Sequence, residues 1–225
     1  MQTRGNCGVI GYNDRMTHCD RLRQLIAREA ARLMYEEQIK EYLTAKRKAA
    51  RRFGPEKRLA LGNHLPANRE IHDELQRLIA LNEPQVLPER LFRLRLLALK
   101  YLELLAPFRP YLVGSVLSGC VTERSDIDLH LFAGDMEEVE GFLEARQLPF
   151  VSETVTVRKG GRFCDFPHIY LEEDGVELEL SIYPLSERQQ VPRSSITGRP
   201  MDRADEKRLR KLIAADLQGG DQAWK

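Results

Sequence analysis

Apolar residues recur at helical spacing through the first half of the chain and alternate with polar ones through much of the second. From Asp20 to about Arg52 no Pro or Gly intervenes, and Leu22, Leu25, Ile26, Ala30, Leu33 and Met34 fall three or four apart. That pattern predicts one long amphipathic helix. Gly54-Pro55 stops it, and a loop is expected as far as Pro66. Asn68 is the expected N-cap of a second helix from Arg69 to Leu81. Pro84 and Pro88 punctuate the next connection, and a leucine-rich third helix from Glu89 to about Leu105 would pack on a sheet or on the first helix. Pro107 and Pro110 close that helix and lead into a strand at 111–115.

Strand signals dominate beyond this point. Asp135 is placed to begin a helix through Arg146 that buries Val139, Phe142 and Leu143. Phe150 to Arg158 and Phe163 to Glu172 read as a hairpin about Lys159-Gly160-Gly161-Arg162. After the polar turn Glu172-Glu173-Asp174-Gly175, residues 176–183 alternate strictly. Val176, Leu178, Leu180 and Ile182 take one face; Glu177, Glu179 and Ser181 take the other. A final amphipathic helix is expected at about 202–217, and residues 1–16, rich in Gly, Asn and Asp, read as an unstructured tail. The fold class expected is α+β: a small mixed or antiparallel sheet flanked by helices, with an N-terminal helical extension.

One segment carries chemistry. An apolar run, Tyr111-Leu112-Val113, enters a Gly114-Ser115 pair, and ten residues after Ser115 comes Asp126-Ile127-Asp128. On a strand Asp126 and Asp128 share a face while Ile127, Leu129 and Leu131 pack behind. Two carboxylates so placed repel each other unless a cation lies between them, and hard divalent ions completed by phosphate oxygens meet that need. A Gly-Ser turn at a strand end, opening a short helix, offers backbone N–H groups to an anion. Gly114 and Gly119 also have the glycine spacing of a Walker loop, but Cys120 and Val121 stand where its Lys and Ser/Thr belong, which excludes a P-loop ATPase.

This Gly-Ser, ten residues, Asp-x-Asp pattern closely resembles the signature of the DNA polymerase beta-like nucleotidyltransferase superfamily. The match lies at Gly114, Ser115, Asp126 and Asp128, with Ser125 also at a position that family often fills with Ser. The resemblance implies a core at 105–190; the residue pattern sets a helical region at 17–104 before it and, at 191–225, a loop and helix expected to contact phosphate or a partner. It implies in-line attack of an acceptor hydroxyl on the α-phosphate of a nucleoside triphosphate, with pyrophosphate leaving. Two Mg2+ ions, or Mn2+ in their place, would be held by Asp126 and Asp128. A third carboxylate is then needed from a neighbouring strand. Glu179, flanked by leucines near mid-strand, is favoured, and Glu177, nearer the turn, is the alternative. The family more often has Asp at this place. Gly114, Ser115 and Ser125 would face the nucleotide, with Arg124 beside them as a weaker phosphate contact.

Charge and composition narrow the partners only modestly. The 225 residues are 42% apolar and 31% charged, as a globular chain should be. No apolar run is long enough for a membrane span, and the amino terminus has no hydrophobic signal region, so a cytoplasmic protein is expected. The four cysteines are scattered without metal-ligand spacing, consistent with reduced thiols. Residues 1–108 carry 20 Lys and Arg against 13 Asp and Glu, and the remainder 15 against 21. The basic cluster Ala45–Arg52 has two explanations, complementing the helix dipole or contacting a phosphate backbone. Residues 189–200 combine hydroxyls and guanidinium groups, so Arg193 or Arg199 would contact the triphosphate or the acceptor unless the segment is a plain surface loop. His130 shares the Asp126/Asp128 face at strand spacing, where a solvent-side place at the strand end is expected ahead of a base or ligand role; His168 reads the same way, and His64 and His72 carry no signal.

Three functions are expected, in this order. The first is transfer of a nucleoside monophosphate, from ATP before other donors, to a hydroxyl of a small molecule or protein. The second is RNA nucleotidyl transfer using the basic helix. The third is a catalytically weak, antitoxin-like regulator that binds a protein partner.

Overall fold

The computed structural model describes residues 18–55, 64–159 and 162–223, so the tail expected at 1–16 and the Gly160-Gly161 turn lie outside the described residues. The fold is α+β, with seven helices among the described residues and one open five-stranded mixed sheet. The helices are α1 (His18–Glu36), α2 (Tyr42–Ala50), α3 (Asn68–Asn82), α4 (Val86–Leu104), α5 (Gly114–Ser118), α6 (Met136–Glu144) and α7 (Glu206–Ala223). The strands are β1 (Tyr111–Leu112), β2 (Ile127–Ala133), β3 (Val151–Lys159), β4 (Arg162–Glu173) and β5 (Val176–Pro184). Their order across the sheet is β1-β2-β5-β4-β3; β2 and β5 run parallel and every other pair is antiparallel. No described helix is long and apolar enough to cross a membrane.

Two apolar clusters divide the chain. Ile26, Ala30, Leu33, Ala45, Ala49 and Ile71 knit α1, α2 and α3 into a helical unit. The second cluster gathers Leu94, Ala98 and Leu102 of α4, Leu129 and Leu180 of the sheet, and Leu209 and Ile213 of α7. Packing therefore groups α4 and α7 with the sheet.

The long first helix is corrected: it breaks between Glu36 and Tyr42, where Gln38 takes a left-handed conformation at φ 57°. An unbroken helix of that length would extend about 50 Å and leave its second half without a partner. Folding back buries Ala45, Ala49 and Ala50 completely, and alanines let the two helix backbones approach closely. Burial overrides a local preference that nothing in the sequence interrupts.

The start of α3 also differs from expectation. Ala67 is the N-cap, its N–H donating to Glu70 Oε2 at 2.6 Å, and Asn68 is the first helical residue. Freed from capping, the Asn68 amide accepts from Lys46 Nζ at 2.9 Å and donates to the Ser195 carbonyl at 3.0 Å. It thereby ties the helical unit to the loop before α7. That last helix starts at Glu206 rather than near 202, because Asp205 accepts from the Arg208 N–H at 2.8 Å while Ala204 pairs with Leu112. Asp135 caps α6 as its sequence suggests, accepting from the Glu138 N–H at 2.9 Å.

Candidate functional site

A cleft of about 980 Å³ lies between the helical unit and the sheet. Its floor is formed by β2 and β5, where the parallel register sets Asp128 directly beside Glu179. Asp126, Asp128 and Glu179 each offer a carboxylate oxygen, and these oxygens lie within 4.8 Å of one another. Glu177 stands apart from that group, its side chain 53% exposed. Register thus brings Glu179, the leucine-flanked one, level with Asp128 and leaves Glu177 nearer the turn.

The turn above the carboxylates is shaped to admit them. Gly114 has φ +70°, and a Cβ built there would fall 1.9 Å from Asp128 Oδ2. Glycine is required on both counts, backbone conformation and space. Next to it Ser115 holds a buried hydroxyl without a hydrogen-bond partner, on the cleft wall. Ser125 also borders the cleft, with its hydroxyl accepting the Thr122 N–H at 2.9 Å and so closing the turn that aims Asp126. Arg124 is an exposed cleft residue. Behind the turn, buried Arg95 donates to the Val116 carbonyl at 3.2 Å and the Leu117 carbonyl at 3.3 Å, satisfying C-terminal carbonyls of α5. Its Nη1 also donates to both carboxylate oxygens of Asp216 of α7, each at 2.8 Å.

Electrostatics single out Asp128. Burial foremost, then the charges of Asp126 and Glu179, push its carboxyl up to about 8. A cluster that resists ionisation in this way has use for a positive charge, and three carboxylates are a hard-oxygen donor set suited to Mg2+ or Mn2+. The glycine cradle and the unpartnered Ser115 hydroxyl are consistent with a phosphate-bearing ligand beside such an ion.

Other neighbours were not expected. Lys40, carried by the α1–α2 break, places Nζ 2.7 Å from Asp126 Oδ2 and 3.3 Å from Glu177 Oε1. Its hydrogen bond to Asp126 raises its pKa, against a smaller opposing effect of burial. His168 is not a solvent-side residue: its Nδ1 lies 2.7 Å from Glu179 Oε1, and its ring stacks on Tyr170. His130 is likewise no surface residue, being 5% exposed against Tyr183. Burial, with Arg203 nearby, pushes it down to about 4, and its Nδ1 is unpartnered. Alternation put His130 on the correct face; what it left out was the cover over that face. His72, silent in sequence, borders the cleft and bonds the Tyr42 hydroxyl at 2.9 Å.

The loop at 189–200 does reach the cleft, through Ser194, Thr197 and Arg199 among others. Arg193 instead braces the loop by donating to the Gly198 carbonyl at 2.9 Å. In the basic cluster, Lys46 is held by Asn68, Lys48 by Glu37, and Arg52 by Glu29. Intramolecular pairing therefore accounts for much of that run.

No protein-family model matches this chain, and no curated protein matches it.

Proposed function

We propose that this chain is a divalent-metal-dependent nucleotidyltransferase resembling the DNA polymerase beta-like superfamily. It would move a nucleoside monophosphate, with ATP as the first donor to try, onto a hydroxyl of a small molecule or protein. The observation that carries this reading is the convergence of Asp126, Asp128 and Glu179 beneath a turn whose glycine alone leaves room for Asp128. Asp126 and Asp128 would hold two ions, with Glu179 completing the site toward the acceptor. Bound there, the metal ions supply charge neutralisation at the phosphates and lower the pKa of the attacking hydroxyl.

The residues supply the rest. Ser115 offers its unpartnered hydroxyl to a phosphate oxygen. The acceptor oxygen bonds to the α-phosphorus as the bond to the β-phosphate bridge breaks, so pyrophosphate carries away the electron pair. Glu179 receives the hydroxyl proton, and His168 holds the carboxylate's orientation through Oε1. The helical unit closes the cleft on one side, which favours a compact acceptor. Internal pairing of Lys46, Lys48 and Arg52 weighs against the RNA-tailing alternative. The three retained carboxylates weigh against a regulator without activity.

Calorimetric titration of ATP, GTP, CTP and UTP with Mg2+ tests the reading, on wild type and on Asp126→Ala/Asp128→Ala. Metal-dependent binding to the wild type alone is expected. Incubation with α-labelled and γ-labelled donor then identifies the transfer, because only the α-label should reach an acceptor. Absence of triphosphate binding to the wild type would sink the proposal and turn attention to a protein partner.

A further inference from the structure

We propose that Lys40 is a substrate-binding residue whose ammonium takes the β- and γ-phosphates of the nucleoside triphosphate, an inference that rests on the nucleotidyltransferase reading of the same site. Lys40 stands 86 residues before Asp126, in a different unit of the fold. Nothing about residues 114–129 calls for it. The turn there has the glycine of a phosphate-binding loop but no lysine, and a triphosphate tail ordinarily needs a mobile point charge of that kind. The fold supplies one by breaking a helix.

The break is built rather than frayed. Gln38 at φ 57° turns the chain, and complete burial of Ala45, Ala49 and Ala50 fixes the helix that follows. Lys46, further along that helix, is anchored to Asn68. The Lys40 backbone is therefore held at the cleft while its side chain, 62% exposed, remains able to swing. Its ammonium pairs with the carboxylate cluster from above, touching Asp126 on one side and Glu177 on the other.

Its present partners cannot be its only ones if the site works. A divalent ion at Asp126 has the same sign as the ammonium and competes for the same carboxylate oxygens, so loading the site displaces Nζ from Asp126. The stem keeps the displaced amine above the carboxylates, on the Glu177 side. There the remaining charge is negative: a triphosphate tail carries more charge than two divalent ions balance once three carboxylates share them. A lysine released from Asp126 into that field finds phosphate oxygens as its new partners. Glu177, outside the metal-binding group, is left to park the ammonium between turnovers.

Calorimetry on the full chain with Mg2+ separates this role from a structural one, using ATP, AMP and three proteins: wild type, Lys40→Met and Lys40→Arg. Lys40→Met should weaken ATP binding about tenfold or more, the usual effect of losing one charge-assisted bond. AMP, which lacks the two outer phosphates, should bind wild type and Lys40→Met alike. Lys40→Arg should recover most of the ATP affinity. Mn2+ binding without nucleotide should be unweakened in Lys40→Met, because the competing ammonium is gone. Equal losses for ATP and AMP would show that Lys40 only positions the helical unit, and no loss for either would show that it is a bystander; both results overturn the assignment. Should the wild type bind no triphosphate at all, the nucleotidyltransferase reading itself fails, and that outcome is distinguishable because it appears before any Lys40 variant is compared.

Discussion

In metal-free protein, Asp128→Asn should stabilise the fold even as it removes a candidate metal ligand. Asp128 is held up to about 8 in the folded state against 3.8 as its ordinary value. Its folded form therefore keeps a proton across a range where the unfolded chain has lost it. Under linkage, stability then falls as pH rises from about 4 to about 8 and levels off above that. Each unit of difference is worth about 1.4 kcal/mol, which sets a ceiling of about 4 kcal/mol at pH 7. The site relaxes around a charge and is more polarisable than a dry interior, so the realised penalty is nearer about 2 kcal/mol. Asparagine keeps the shape and has no charge to lose. The expectation is a melting temperature raised by about 4–8 °C at pH 7.5 in EDTA, shrinking to about a third of that at pH 5 and toward zero near pH 4. Thermal unfolding of both proteins from pH 5 to pH 8.5 measures this, and saturating Mg2+ should raise the wild type but not the variant. A variant less stable than wild type at pH 7.5, or a difference that does not grow with pH, would refute the reasoning.

Three other outcomes follow from the same geometry. Gly114→Ala places a methyl on Asp128 and strains a left-handed backbone, so it should cost about 1–3 kcal/mol in a melting experiment and abolish Mg2+-dependent ATP binding. Glu179→Gln should lose turnover in a pyrophosphate-release assay while Glu177→Gln keeps most of it; the reverse pattern would reassign the third carboxylate. Arg95→Met strands Asp216 and two carbonyls of α5, and should lower stability by about 3 kcal/mol in urea unfolding, with Asp216→Asn milder because the carbonyl bonds survive.

What could be read from the chain was what depends on neighbours in sequence. Strict alternation at 176–183 gives the buried face of β5 and presents Glu179 on the other. The Gly-Ser turn and the Asp pair, ten residues apart, announce themselves by residue type and spacing. Lys40 was not legible, because its helix breaks to bury Ala45, Ala49 and Ala50 against α1, a tertiary gain with no local marker. Asn68 looked like a cap because its residue type favours one, yet Glu70 satisfies the Ala67 N–H from within the helix. The Asp174-Gly175 turn marks the strands of His168 and Glu179 as neighbours, but the diagonal contact between the two side chains depends on a register that alternation does not give. A contact across strands or between units is settled by register and packing, which a window of sequence does not contain.

The clamp formed by Arg95 and Asp216 has a bearing on synthesis. Arg95 emerges from the ribosome early, with its guanidinium destined for the interior, and its carboxylate partner follows 121 residues later. Until α7 is available, the cation beside α5 has nothing to balance its charge, and Leu112 lacks the Ala204 pairing that borders the same turn. The nascent chain can carry every carboxylate of the site and still hold the glycine turn loosely. Firm closure of the turn over Asp128 is thus deferred until α7 has left the ribosome, so this corner of the fold is completed among the last.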